Sequence, residues 1–260
     1  LDQGEDSFLR DPLWQEVPWR KRPKTPYDRI WDFLIHAPDL RNRGELLRFL
    51  DPHSKLQVAT ELIWKCWEME SELQSVYDSV EMRHKGPVFW PELARNKDLH
   101  GDAEDGMLFP VAFHFPNLSI ANTVLIYWAV QVILWHGMWQ LYGLITELQL
   151  YFTAAAKVDD GDGSAESVHN AVSTLFKSPP LEHRADFAAP CRSIFQSVEY
   201  GLQENMLDQG PKSVAGPLRI AYETLRLYPQ FQQEIAWAER AQGMVEERSL
   251  RLLTYYIPRR

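Results

Sequence analysis

An all-α fold, a single helical domain wrapped around one long buried helix, is what this sequence predicts. Residues 106–146 contain no Asp, Glu, Lys or Arg, and the chain there is apolar enough for a core helix. Elsewhere apolar residues recur at helical spacing, and no run alternates apolar with polar residues long enough to make a convincing strand. Pro and Gly divide the chain into pieces of helical length, and no internal repeat is visible.

Taken in order, residues 1–25 are polar, rich in proline, and carry Trp14 and Trp19; they read as an extended N-terminal arm, with the helical domain occupying 26–260. Helices are expected at about 26–36, 42–51 and 54–80. In the last of these, Leu56, Ala59, Ile63, Cys66, Trp67 and Met69 repeat at helical intervals. An aromatic connection containing prolines covers about 85–116. The central helix runs from 118 to about 157, and "VDDGDGSAES" follows as a flexible acidic loop at about 158–166. Helices resume at roughly 164–177, 188–207, 212–227 and 229–255. Pro211, Pro217 and Pro229 stand near starts or turns, where a missing N–H costs least.

The central segment is long enough to span a bilayer, which takes about 20 apolar residues. Its interior argues otherwise, because Asn122, Gln131, His136 and Gln140 would lie at membrane depth and no dense Lys/Arg cluster flanks it. Periodicity gives a better account. Leu125, Trp128, Val132, Trp135, Trp139 and Tyr142 form one aromatic stripe; Asn122, Ala129, Ile133, His136, Gln140, Gly143 and Glu147 share the opposite strip. A helix apolar nearly all round belongs at the centre of a helical domain, so no membrane association is expected.

Composition narrows the chemistry. The chain is 45% hydrophobic and 24% charged, ordinary for a globular protein, and its net charge of -9 should repel nucleic acid. Its two cysteines, Cys66 and Cys191, form no CxxC pair and are expected to be buried free thiols, with a disulfide as the alternative; free thiols fit a reducing nuclear or cytoplasmic setting. Acidic and polar residues come first, so no secretion signal is expected. No metal site or cofactor is expected either. Reading a calcium loop from Asp160 puts Ala165 where glycine is required and Ala171 where the bidentate Glu belongs. No HExxH, nucleophile elbow or phosphate loop occurs, and no catalytic residue is assigned. One basic run, "WRKRPK" at Trp19–Lys24, suits a nuclear import signal or a phosphate-binding patch.

The segment "CRSIFQSVEYGLQENMLDQGPKSVAGPLRIAYETL", Cys191 to Leu225, combines an Ile/Phe-x-Ser-x-x-Tyr helix, a Met, a "GP" step and Pro-Leu-Arg-Ile-Ala. It resembles the C-terminal region of the fungal-specific transcription factor domain, the regulatory region found downstream of a zinc binuclear cluster. "LFPVAFHFPNLSIANTVLIYWAVQVIL", "FQQEIAWAERAQGMVEERSLR" and "LWQEVPWRKRPKTPYDRIWDFLIHAPDL" are similar to other parts of that family. The resemblance implies a helical domain that regulates transcription and, in some members, binds a small hydrophobic effector. The six-cysteine cluster is missing, so sequence-specific DNA binding by this chain alone is not expected.

The expected function is therefore regulatory: effector sensing and contact with a second copy or another protein. The alternative is an enzyme or small-molecule binding protein of fungal secondary metabolism on the same fold, with His114 or His136 as general base; a plain interaction scaffold is the third reading. The candidate ligand-binding residues are Trp128, Trp135, His136, Trp139, Tyr142 and Arg219, with Gln131 and Gln140 as further polar anchors. Against them stands a solid core, in which the stripe packs on "ELIWKCWEME" and "GPLRIAYETL" and leaves no cavity.

Overall fold

A computed structural model describes residues 11–100, 107–158 and 178–256. The acidic loop from 159 onward and the helix expected at 164–177 lie outside the described residues. Helix dominates: α1 (Pro12–Glu16), α2 (Pro26–Leu46), α3 (Pro52–Arg83), α4 (Lys97–His100), α5 (Leu118–Val158), α6 (Ala188–Gly201), α7 (Gln209–Leu225) and α8 (Gln232–Tyr256). Among the described residues two four-residue strands, β1 (Trp90–Leu93) and β2 (Val111–His114), accompany the helices.

Local chemistry sets the helix starts. Asp11 accepts the Leu13 N–H at 2.8 Å and Pro12 opens α1, so the arm read as extended contains a helical turn, followed by a 3₁₀ turn at Val17–Trp19. Thr25 and Asp28 form a reciprocal capping box before Pro26: the Thr25 N–H reaches the Asp28 carboxylate at 2.8 Å, and the Asp28 N–H reaches the Thr25 hydroxyl at 3.3 Å. Asp51 accepts the N–H groups of His53 and Ser54 at the head of α3; the Ser54 side chain first, and then these N–H groups, hold its carboxyl below the usual range. Asn117 caps α5 through the Ile120 N–H at 3.0 Å. The break expected between 36 and 42 is absent, because α2 continues through Pro38.

The described chain divides into two compact units. The first draws on Leu1–Lys24, Trp31–Gln74 and Ile133–Asp186; the second draws on Thr25–Ile30, Ser75–Val132 and Phe187–Arg260. In the first, α3 and the later part of α5 make the core, where Leu56, Ala59, Leu62 and Ile63 meet Leu141, Ile145, Leu148 and Phe152. The buried seam of α5 here is Leu134, Met138, Leu141, Ile145, Leu148 and Phe152, while Trp139 is 39% exposed. The most buried line here thus runs one residue, about 100°, from the aromatic stripe, of which Trp135 stays buried and Trp139 does not. A helix apolar on every side has no polarity contrast to fix which face turns inward.

The second unit is built on aromatic rings. Phe109, Phe195 and Trp237 pack with centroids 5.0–5.9 Å apart, and Tyr77 stacks on Tyr127 at 4.1 Å. β1 and β2 pair antiparallel, with Trp90 opposite His114 and Leu93 opposite Val111. Four-residue strands are too short to show alternation, and Pro91 withholds a ladder donor, which explains why sequence reading placed only a connection there. α6 and α7 meet at Gly201 and Gly210, where a Cβ on Gly210 would come within 2.1 Å of the Gly201 carbonyl oxygen. Both cysteines are buried free thiols, and burial pushes Cys66 up to about 12.

Candidate functional site

The first unit gathers polar groups where residues 178–186 lie against α3 and α5. Arg184 anchors this strap. Its Nη2 lies 2.7 Å from a carboxylate oxygen of Glu70 on α3, and its Cζ lies 5.9 Å from the centroid of the Trp67 ring. Glu70 and Arg184 are 5% and 9% exposed, so the pair is desolvated, and each ion depends on the other for its neutralisation. Tyr142 on α5 donates its hydroxyl hydrogen to the Pro179 carbonyl oxygen, and burial raises its pKa against the opposing charge of Arg184. His183 meets the Trp135 ring edge-on at 5.2 Å. The turn begins at Glu182 with a φ of 47°, a left-handed conformation that the surrounding contacts hold in place.

One group in this arrangement is left over. The Trp135 indole N–H is buried and has no hydrogen-bond partner among the described residues. A stranded donor of this kind costs about 1–3 kcal/mol, which any acceptor brought to it would recover. Beside it on α5, burial lowers the His136 pKa to about 4, so the imidazole is uncharged near neutrality. With Arg184 neutralised by Glu70, these surroundings favour an uncharged, apolar molecule that offers an oxygen or nitrogen acceptor.

The expected site residues are divided between the two units. Trp135 and Tyr142 both reach the strap; His136 is partly buried on α5, and Trp139 is exposed in the same unit. Trp128 belongs to the second unit, enclosed by Phe89, Phe113 and Phe115 at 5.2–6.3 Å. Gln131 donates to the Tyr127 hydroxyl at 2.8 Å. Arg219 lines a separate open groove of about 240 Å³ between α7 and α8, with Tyr222, Gln242 and Glu246. That volume falls below the roughly 300–1,000 Å³ of typical small-molecule pockets. Sequence reasoning missed Glu70, His183 and Arg184, since nothing in spacing links α3 to a segment 114 residues away.

The second unit holds two histidine networks. Glu199 accepts the Arg95 N–H at 2.8 Å and faces His100 Nε2 at 3.4 Å, while Trp237 Nε1 donates to His100 Nδ1 at 3.4 Å. Both ring nitrogens are committed, so this imidazole ties α4 to α6 and α8 and has no nitrogen left to take a substrate proton. His114 lies with Nδ1 at 3.4 Å from the Gln203 amide nitrogen and Nε2 at 3.8 Å from Glu92. The Trp90 indole N–H, bound to Glu92 at 2.9 Å, is the main reason that carboxyl titrates low. No group of three or more His, Cys, Asp or Glu among the described residues is arranged to hold a metal ion. Comparison with protein-family models, curated proteins and solved structures gives no match.

Proposed function

We propose that this chain is a regulatory domain that senses a small, uncharged, apolar effector through Trp135 and transmits its presence through the 178–186 strap. The unpaired, buried Trp135 N–H carries this reading, because it is a donor in place without an acceptor. The strap supplies a means of transmission: His183 packs edge-on against the Trp135 ring, and Arg184 and Pro179 tie the same strap to Glu70 and Tyr142, so a ligand entering at Trp135 changes the strap's contacts. The resemblance of Cys191–Leu225 and of the opening of α5 to fungal transcription regulators supports a role in gene control. The net charge of -9 supports action without direct DNA contact by this chain.

The test is a titration of the purified chain with neutral apolar metabolites bearing carbonyl or ether oxygens, followed by tryptophan emission. Saturable change is expected for at least one compound class. Trp135→Phe keeps an aromatic ring and nine other tryptophans as reporters but lacks the donor, and should weaken binding about tenfold, the equivalent of one hydrogen bond. A panel that produces neither saturable emission change nor thermal shift argues for a solid core. Undiminished binding by Trp135→Phe moves the site elsewhere.

A further inference from the structure

The basic run at Trp19–Lys24 divides into two parts in the structure. Arg20, Lys21 and Arg22 are exposed in irregular chain between the Val17–Trp19 turn and α2, and none pairs with a carboxylate among the described residues. Lys24 differs. Its Nζ lies 2.7 and 2.8 Å from the two Asp32 carboxylate oxygens and 2.7 Å from Gln15 Oε1, and it sits 5.5 Å from the centroid of the Trp19 ring. Its side chain is only 17% exposed. Three cations face solvent and the fourth is held in.

We propose that Arg20, Lys21 and Arg22 dock in a carboxylate-lined groove of a nuclear import carrier, and that Asp32 withholds Lys24 from that groove. The inference is independent of the effector site. Charge selects the partner. Nucleic-acid binders typically neutralise about 6–10 phosphates, far more than three adjacent cations on a chain of net charge -9 can manage. Anionic membranes are read by clusters of about 4–8 Lys or Arg, and the same negative balance opposes approach to them. A narrow acidic groove in a protein engages the short run alone, without meeting the rest of the surface. Irregular backbone at 20–25 suits such a groove, since no helix or strand has to be dismantled first. The Lys24–Asp32 pair gives the segment a built-in limit, because release of Lys24 lengthens the run from three adjacent cations to Lys-Arg-Pro-Lys preceded by Arg20.

The experiment fuses the full chain to a fluorescent cargo too large to diffuse through the nuclear pore and compares nuclear with cytoplasmic signal. Several-fold nuclear accumulation is expected, falling to an even distribution in the triple variant Arg20→Ala, Lys21→Ala, Arg22→Ala. Asp32→Asn frees Lys24 and should raise accumulation above wild type. Circular dichroism of the purified variants checks that all of them stay folded, as substitution at the exposed Arg20, Lys21 and Arg22 and at the partly exposed Asp32 should allow. Failure of the wild type to accumulate, or equal accumulation by the triple variant, overturns the docking site. An Asp32→Asn ratio equal to or below wild type overturns the withholding of Lys24. Binding of the purified chain to phosphatidylserine vesicles or duplex DNA that the triple variant loses, in place of import, assigns the run to a phosphate partner and overturns the proposal.

Discussion

Trp135 carries opposing contributions in one side chain. Its ring is 92% buried against the strap, and its N–H is stranded. Trp135→Ala removes the ring as well and should cost on the order of 3–5 kcal/mol. Trp135→Phe keeps most of the packing and deletes a donor whose burial costs about 1–3 kcal/mol, so its stability should stay within about 1 kcal/mol of wild type. Urea titrations of the two variants separate the contributions; an Ala variant as stable as the Phe variant would mean the ring packs on nothing. His136 makes a pH prediction. Its folded pKa of about 4 lies below the unfolded 6.5, so the unfolded chain binds the proton first. The stability contributed by the neutral imidazole is complete above pH 6.5 and is lost as pH falls toward about 4, in all on the order of 3 kcal/mol. His136→Gln should flatten the curve over that interval, and thermal melts across it would show whether it does. Spacing put Trp135 on the aromatic stripe and His136 on the opposite strip, and both were named as candidates for a ligand site. The stranded N–H was not legible, because it depends on where a distant strap lies.

At the scale of elements, helical spacing and proline punctuation located the helices, while the capping bonds at their starts came only with the structure. Asp11, Thr25, Asp51 and Asn117 each precede or closely flank a helix start, and each binds first-turn N–H groups. The seam of α5 was the least legible, since Trp139 and Leu141 are equally apolar to a pattern and only packing decides between 39% and 9% exposure. Glycines in α7 offer a matched pair of tests. A Cβ on Gly216 meets nothing within 4 Å, so Gly216→Ala should stabilise the helix by up to about 1 kcal/mol. Gly210 abuts the Gly201 carbonyl, and Gly210→Ala must push α6 and α7 apart, at a cost of about 1–3 kcal/mol or more. Equal melting temperatures for the two variants would contradict the close approach of these helices.

For the molecule as a whole, the all-α class was legible because a charge-free segment of such length has few homes other than a core. The two-stranded ribbon and the partition of α5 between two units were not, since both arise from contacts between segments far apart in the chain. That distance also governs time. The Glu70–Arg184 pair closes a span of 114 residues, whereas α6 and α7 meet across one short turn. Closing a long span loses more chain entropy before any contact repays it, so the strap should lock after the α6–α7 hairpin has formed. Glu70→Leu leaves Arg184 buried without its counter-ion and should destabilise by about 3–5 kcal/mol, nearly all of it as faster unfolding. Gly210→Ala should instead slow refolding. Stopped-flow chevrons would reveal the order directly, and a slowed refolding arm for Glu70→Leu would reverse it. A strap that arrives last in folding is also the first part to leave, so the effector's proposed point of entry is the place where the native state opens soonest.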